Sequence, residues 1–341
     1  FLYSDISFVL FQIGRIAVVL FLPALAINVV TEINIYTCIL SMGLLSLIYT
    51  LMGGIEAVIW TDAMQVIILL GGALLSVFFI IYKIDGGFFE IINSAINLNK
   101  INTFNMVLDF SKPTFWVVLF GGYFSSLATY ACDQTMVQRY LTTEDENGAV
   151  KSLLTNMWLT IPATLIFFFV GTSLFVFFKQ YPDKMNFSLT NGDAIFPWFI
   201  VKELPNGVVG LLISGILAAA MSSVSSSINS AATSYCEDIH FRFWNSRKKL
   251  NLARMATLLI GIIGTLSALF MAEFEIKSLW DIFQKILGLI IGSMSGLFVL
   301  GVFFKKANSI GALIGFTGSL IFQIYISNFT NLNLLLYTAS G

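Results

Sequence analysis

Charged residues are scarce in this sequence. Asp, Glu, Lys and Arg make up only 11% of its 341 residues, whereas soluble domains carry roughly 25%. Hydrophobic residues make up 57%, and the mean hydropathy is +0.87. A chain of this length has too few polar side chains to cover its own core in water. The composition therefore excludes a soluble globular protein and predicts a polytopic membrane protein.

Groups that catalyse reactions or bind transition metals are equally scarce. The single histidine, His240, cannot form a metal site alone. The three cysteines lie in or beside apolar segments and lack disulfide or metal spacing; they are Cys38, Cys132 and Cys236. No Ser/His/Asp set, paired carboxylates or phosphate-binding loop can be recognised. We therefore expect neither an enzyme nor a nucleic-acid-binding protein.

Long apolar stretches dominate the chain instead. A helix that spans a bilayer needs about 20 mostly apolar residues. Nine stretches satisfy this requirement: 5–30, 35–52, 57–82, 114–138, 151–178, 207–236, 250–272, 279–303 and 308–327. We predict an all-α protein with about nine transmembrane helices in a single membrane domain over residues 1–341. The longer connections are 83–113, with a short surface helix, and 179–206.

The first residues already belong to a spanning helix. They show neither the charged region nor the small-residue cleavage site of a signal peptide. The chain also starts with Phe1 rather than methionine. We therefore expect a piece of a longer protein.

Lysine and arginine in the loops predict the orientation of the chain. Five cationic residues cluster between the stretch 207–236 and the first residues of 250–272, which places this connection in the cytoplasm: Arg242, Arg247, Lys248, Lys249 and Arg254. Residues 139–150 and the pair Lys305–Lys306 then fall on the same side. Both long connections and the C-terminus fall outside.

Residues that break helices occur inside three of the predicted spans. For Pro23 and Pro162 we favour a packing kink, because proline is common in membrane helices. The pair Gly121–Gly122 lies inside 114–138 and predicts a break there. Breaks at membrane depth persist only where protein or a water-filled cavity satisfies the freed backbone groups, as in transporters.

Serines are concentrated in residues 216–235, ILAAAMSSVSSSINSAATSY. Ala219, Ser222, Ser223 and Ser226 follow the i, i+3, i+4, i+7 spacing of one helix face, and Ser225 lies beside them. Several hydroxyls therefore converge, and oxygen ligands suit a hard cation such as Na⁺. Small residues also serve close helix packing, which is the simpler interpretation of this stretch alone.

An acidic residue changes that balance. Asp62 lies near the cytoplasmic end of the predicted span 57–82. A charge at the edge of a span is costly unless it is paired or hydrated, and it usually has a function. Asp62 would supply the formal charge that makes the serine face a cation site. The alternative is an interfacial acid that faces water.

Five strings taken together resemble the sodium:solute symporter family. GRIAVVLFLPALAI is similar to its third core helix, and GGIEAVIWTDAMQ to its fifth. DQTMVQRYLTT (133–143) is similar to the end of the sixth, AAAMSSVSSSINSAATSYCEDI to the eighth, and FKKANSIGALIG to the start of the eleventh. The strings occur in the family's order and cover core helices three to eleven.

This resemblance implies the leucine-transporter fold, with two inverted repeats and alternating access driven by Na⁺. The protein would be a multi-pass carrier in the cell (inner or plasma) membrane, with the lipid bilayer, Na⁺ and a small solute as partners. Core helices one and two would lie outside this sequence. As a free-standing chain it would then not transport.

The resemblance also implies two Na⁺ sites. The primary site takes the Ala219 carbonyl and the hydroxyls of Ser222 and Ser223. The second site, present in some members, takes an acid at the position of Asp62 and three serines: Ser222, Ser225 and Ser226. We therefore expect two Na⁺ per transport cycle.

The substrate is suggested by an arginine inside the first span. Arg15, with Gln12 one turn earlier, costs several kcal/mol or more in a bilayer. It would be retained if it bound a substrate carboxylate through two hydrogen bonds. The position resembles the arginine that sialic-acid-type members use for this purpose. The alternative is that Arg15 snorkels, or pairs with an Asp or the backbone of the same protein.

A second group of substrate candidates lies on the span 114–138. Ser126, Thr129 and Tyr130 would face the expected cavity and bind hydroxyl groups, or else serve packing. Trp158 stands where hexose carriers of the family have a lysine, which disfavours a galactose-like sugar. We expect Na⁺-coupled import of a sugar acid such as sialic acid. A neutral sugar, polyol or monocarboxylate symporter, a symporter-like sensor domain and a passive channel are the alternatives.

Overall fold

The computed structural model describes residues 2–52, 55–100, 104–185, 192–244, 249–274 and 278–341, which are helical for most of their length. Within these ranges, fourteen α-helices run in chain order: α1 Leu2–Thr31, α2 Ile35–Met52, α3 Ile55–Lys83, α4 Gly87–Asn97, α5 Phe115–Cys132, α6 Gln134–Tyr140, α7 Glu146–Gln180, α8 Ile195–Glu203, α9 Asn206–Ser234, α10 Phe241–Phe243, α11 Lys249–Met271, α12 Leu279–Phe303, α13 Ser309–Phe329 and α14 Tyr337–Ser340. A π-helical turn, Tyr235–His240, joins α9 to α10.

Eight of these helices are long and apolar enough to cross a membrane, and the pair α5 and α6 gives a ninth span with a 58° bend. The nine predicted spans are thereby confirmed. The surface helix predicted within residues 83–113 is α4. Of the five cationic residues used for the orientation, Arg247 and Lys248 lie outside the described residues.

The position of the break in the fourth span was predicted wrongly. α5 continues as a regular helix through Gly121–Gly122 and ends at Cys132. Gly121 serves close packing, because a methyl group there would collide with the backbone carbonyl of Leu335. Its small size, and not its flexibility, is what the structure uses.

The break lies instead at Asp133, which has an extended backbone with φ −77° and ψ 115°. Its carboxylate accepts a hydrogen bond of 2.8 Å from the backbone N–H of Thr135. Asp is among the preferred residues for capping a helix N-terminus in this way. The cap begins α6 in a new direction and also places a negative charge at the joint.

α1 lies at the centre of the bundle, in contact with α2, α9, α11 and α12. Lipid is as apolar as the side chains, so membrane helices associate through close van der Waals packing. Gly264 of α11 meets Ile16 of α1, and Gly43 of α2 meets Thr265 of α11, at distances that leave no room for a methyl group. This tight packing joins α1, α2 and α11, and α1 also lies side by side with α9, where the candidate site residues lie.

The predicted outer connection 179–206 is joined to α3 by one ion pair and is braced by a second within the connection. Glu203 accepts hydrogen bonds from the Nζ atoms of Lys83, at 2.9 Å, and Lys184, at 3.0 Å. Burial by itself would raise the pKa of Glu203, but the two ammonium groups outweigh it and hold the pKa below the ordinary value of 4.5. The carboxylate therefore stays ionised at neutral pH and fastens α8 to the end of α3.

Replacing Glu203 by Gln should lower the unfolding temperature at neutral pH. A depressed pKa means that the ion pairs stabilise the fold above the ordinary pKa and lose their effect as the pH falls through the lowered one. The difference from the wild type should therefore vanish in acid. The corresponding loss in the free energy of unfolding should be at most about 1 kcal/mol, because the lysines are partly exposed.

Thermal unfolding of the detergent-solubilised protein, from neutral pH down through the lowered pKa of Glu203, measures the effect. Asp183→Asn is the matched control, since Asp183 is exposed on the same connection and forms no ion pair among the described residues. A pH-independent loss for Glu203→Gln would contradict the ion-pair explanation.

Candidate functional site

The serine face of α9 is turned towards α3 and α6. Ser225 and Ser226 are 0% and 8% exposed, and Ser222 is partly buried. The Ser222 hydroxyl donates a hydrogen bond to Oδ1 of Asp62 on α3. The Ser225 hydroxyl donates to the Ser222 carbonyl at 2.9 Å. Both hydroxyl oxygens thus keep their lone pairs for another partner.

Asp62 also pairs with an arginine from the last turn of α6. Nη2 of Arg139 lies 2.7 Å from Oδ2 of Asp62 and donates to the Ser226 hydroxyl at 3.2 Å. The side chains of Arg139 and Asp62 are 31% and 18% exposed. Asp62 is therefore not a solvated interfacial acid. It contacts Ser222 directly and is linked to Ser226 through Arg139, which forms one oxygen-rich cluster between α3, α6 and α9.

Ala219 and Ser223 lie on the same helix, next to Ser222. Both are partly buried, and their i, i+4 spacing places them on one face. The Ser223 hydroxyl has no hydrogen-bond partner within the part of the chain that the structure describes. The hydroxyls of Ser222 and Ser223 and the carbonyl of Ala219 offer the hard oxygen atoms that Na⁺ prefers.

A second polar cluster forms where α1 meets the start of α6. Nη1 of Arg15 lies 3.3 Å from Oδ2 of Asp133. Nε2 of Gln12 donates to Oδ1 of Asp133 at 3.3 Å and to the Thr135 hydroxyl at 3.2 Å. Gln12 is fully buried and Asp133 is 3% exposed. Arg15 and Gln12, the two substrate-binding candidates from the first span, thus both contact the carboxylate of Asp133.

The two clusters lie at opposite ends of the short helix α6. At its start, the Thr135 hydroxyl donates to the Ser230 hydroxyl of α9 at 3.0 Å. At its end, Arg139 reaches Ser226, one turn earlier on α9. Asp133 and Arg139 are six positions apart, which is roughly 9 Å along a helix. One seven-residue helix therefore contacts both candidate sites.

The other substrate candidates lie in a different place. Ser126 and Tyr130 line a cleft of about 440 Å³ between α5 and α7. The Tyr130 hydroxyl accepts a hydrogen bond of 2.9 Å from Asn156 of α7. Thr129 is partly buried on the same helix. Among the described residues, neither Arg15 nor Gln12 lines this cleft.

Sequence reasoning assigned no role to Asp133 and Arg139, although both stand in the string DQTMVQRYLTT. Asp133 lies inside the predicted span 114–138, and Arg139 directly follows it. Ionisable residues at membrane depth are costly and usually have a function. The rule that identified Asp62 and Arg15 would have identified these two residues as well.

Comparisons with known proteins agree with this architecture. The sequence profile of the sodium:solute symporter family matches residues 1–318. The chain is 35% identical over 344 residues to the sodium/sialic acid symporter NanT of Aliivibrio fischeri, with 100% of this chain and 68% of the relative covered. It is 36% identical over 345 residues to the sodium/sialic acid symporter SiaT of Proteus mirabilis, with coverage of 100% and 69%.

A solved structure has the same fold. It shows a Na⁺-coupled sialic acid symporter in a substrate-bound outward-open state, with a TM-score of 0.90 and 35% identity. The alignment covers 99% of this chain and 71% of that one. The predictions of an all-α membrane fold and of a transporter rather than an enzyme are thereby confirmed. The chain belongs to the sodium:solute symporter family, and it is a multi-pass cell-membrane protein that uses Na⁺ as its coupling ion.

Proposed function

We propose that this protein imports a sugar acid such as sialic acid together with Na⁺, and that Arg15 binds the carboxylate of the solute. The observation that carries the proposal is the way Arg15 is held. Among the described residues its only hydrogen-bond partner is Asp133, through one nitrogen at 3.3 Å. A guanidinium has five N–H donors. Those that remain can hold a carboxylate in the bidentate geometry that arginine favours.

Asp133 is well suited to orient Arg15 without depending on it. Its carboxylate also accepts hydrogen bonds from the backbone N–H of Thr135 and from Gln12. These contacts keep the buried charge solvated by protein while Arg15 turns towards a substrate. The resemblance of the chain to two sodium/sialic acid symporters supports a sugar acid over a simple sugar.

The sodium ions are proposed to bind at two overlapping sets on α9. One set is the Ala219 carbonyl with the Ser222 and Ser223 hydroxyls. The other is Asp62 with the serines that surround it, namely Ser222, Ser225 and Ser226. Neutral hydroxyls bind a monovalent ion weakly, so it can be released on the other side of the membrane. The break at Asp133 supplies a discontinuous helix of the kind from which transporters build their substrate and ion sites.

Ser126, Thr129 and Tyr130 are proposed to contact the hydroxyl groups of the solute as it passes between α5 and α7. Ser126 and Tyr130 line the cleft there, and Asn156 holds the Tyr130 hydroxyl in place. This role does not require direct contact with Arg15, because a sugar acid carries its carboxylate at one end and a polyol tail at the other.

Replacing Arg15 by Gln should reduce kcat/KM for sialic acid uptake at least about 30-fold, because losing one partner of a desolvated charge pair costs about 2–5 kcal/mol. Arg15→Lys should recover only part of this loss, since an ammonium lacks the bidentate fork. Uptake of labelled sialic acid into proteoliposomes that contain the full-length protein measures both variants.

The matched control for this experiment is Arg254→Gln on the exposed surface of α11, which should transport like the wild type. Uptake by Arg15→Gln at the wild-type rate would remove the carboxylate argument. Wild-type protein that takes up a neutral sugar but no sialic acid would overturn the proposed substrate class.

Two Na⁺ carried with one monoanion move one net positive charge per cycle, so transport should be electrogenic. Asp62→Asn should lower the measured ratio of Na⁺ to substrate from two towards one and abolish the current. Ser225→Ala and Ser226→Ala should act in the same direction. Parallel ²²Na⁺ and substrate fluxes, with current recorded on solid-supported membranes, measure the ratio.

Ser227→Ala is the matched control for the serine variants. Ser227 is fully buried on α9, and its hydroxyl has no hydrogen-bond partner among the described residues. The alanine variant should keep the wild-type ratio. A ratio of one Na⁺ per substrate in the wild type would refute the second site.

A further inference from the structure

A guanidinium nitrogen of Arg139 occupies the position between two of the proposed Na⁺ ligands. Nη2 lies 2.7 Å from Oδ2 of Asp62 and 3.2 Å from the hydroxyl oxygen of Ser226. Both oxygens belong to the second proposed Na⁺ set. The nitrogen therefore bridges the same two atoms that a bound cation would bridge.

The single negative charge of this cluster cannot compensate two cations at once. Asp62 is the only carboxylate among the described residues that contacts these serines. Like charges at such distances repel strongly when they are partly withdrawn from water. Na⁺ and the guanidinium of Arg139 therefore compete for Asp62 and for the space beside it.

We propose that the guanidinium of Arg139 competes with the second Na⁺ for Asp62. The ion then binds only as the guanidinium withdraws from this carboxylate. This inference rests on the proposed function of Asp62 and its serines. Arg139 has a path for this movement, since its side chain is 31% exposed and is long enough to swing its head group towards water. Its competition lowers the affinity of the second site, which helps the ion to leave.

The exchange would also be transmitted to the substrate cluster. Arg139 attaches the end of α6 to α3, while Asp133 attaches its start to α1 through Arg15. Withdrawal of Arg139 releases α6 from α3 and leaves the contact with α1 in place. Binding of the second Na⁺ thus alters the helix that orients the substrate arginine, which is a physical route for coupling the two sites.

The test is Na⁺-dependent thermal stabilisation of the detergent-solubilised full-length protein, since an ion that binds the folded state raises its apparent stability. Removing the competing charge in Arg139→Gln should strengthen apparent Na⁺ binding by about three- to fivefold, the effect of removing a partly exposed ion pair. Arg139→Met, which keeps the packing of the stem, gives the same measurement if the Gln variant is too unstable to titrate. Arg139→Lys keeps the charge and should stay within about twofold of the wild type.

Asp62→Asn separates failure of this inference from failure of the proposed function. If Asp62→Asn leaves the Na⁺ titration unchanged, the second Na⁺ site itself is wrong. If Asp62→Asn removes part of the Na⁺ response while Arg139→Gln and Arg139→Met leave it unchanged or weaken it, the site stands and the competitor is wrong. A gain in affinity for Arg139→Lys equal to that for Arg139→Gln would also overturn the role of charge.

Discussion

An ionised side chain inside an apolar bundle needs a partner of opposite charge, and this constraint organises the centre of the molecule. Arg15 pairs with Asp133 and Arg139 pairs with Asp62. In both pairs the two residues come from different helices, so each pair fixes α6 against a neighbour. The four charges sum to zero, so the two clusters together are electrically neutral within the bundle without any bound ion.

The small residues of α9 serve this arrangement in two ways. They let α1 and α3 each pack closely against α9, as helix packing in membranes requires. They also place hydroxyl oxygens where Asp62 and Arg139 reach them. Packing and ion binding are thus compatible interpretations of one stretch. Ser227 and Ser230, buried away from Asp62, belong to the packing part and to the contact with Thr135.

The sequence predicted the nine spans because each depends on a local property, the length of an apolar stretch. It also identified Arg15 and Asp62, since a charge in such a stretch is conspicuous. It could not supply their partners, which lie 118 and 77 residues away in the chain. The break was misplaced for a related reason. Gly121–Gly122 suggested flexibility, whereas contact with the distant Leu335 requires only a small residue.

The neutral balance of the cluster explains why an anionic solute and Na⁺ would travel together. A carboxylate at Arg15 would add one negative charge to a set that sums to zero, and this addition alone is unfavourable at low dielectric. The proposed Na⁺ at Ala219, Ser222 and Ser223 would offset it, while the second Na⁺ would take the place of the Arg139 guanidinium at Asp62 and leave that pair neutral. Both ends of α6 contact these charged residues, so a change in either ion pair would act on the position of this helix. Coupling of this kind would need no contact between the ion and the solute, only a shared electrostatic balance on one short helix.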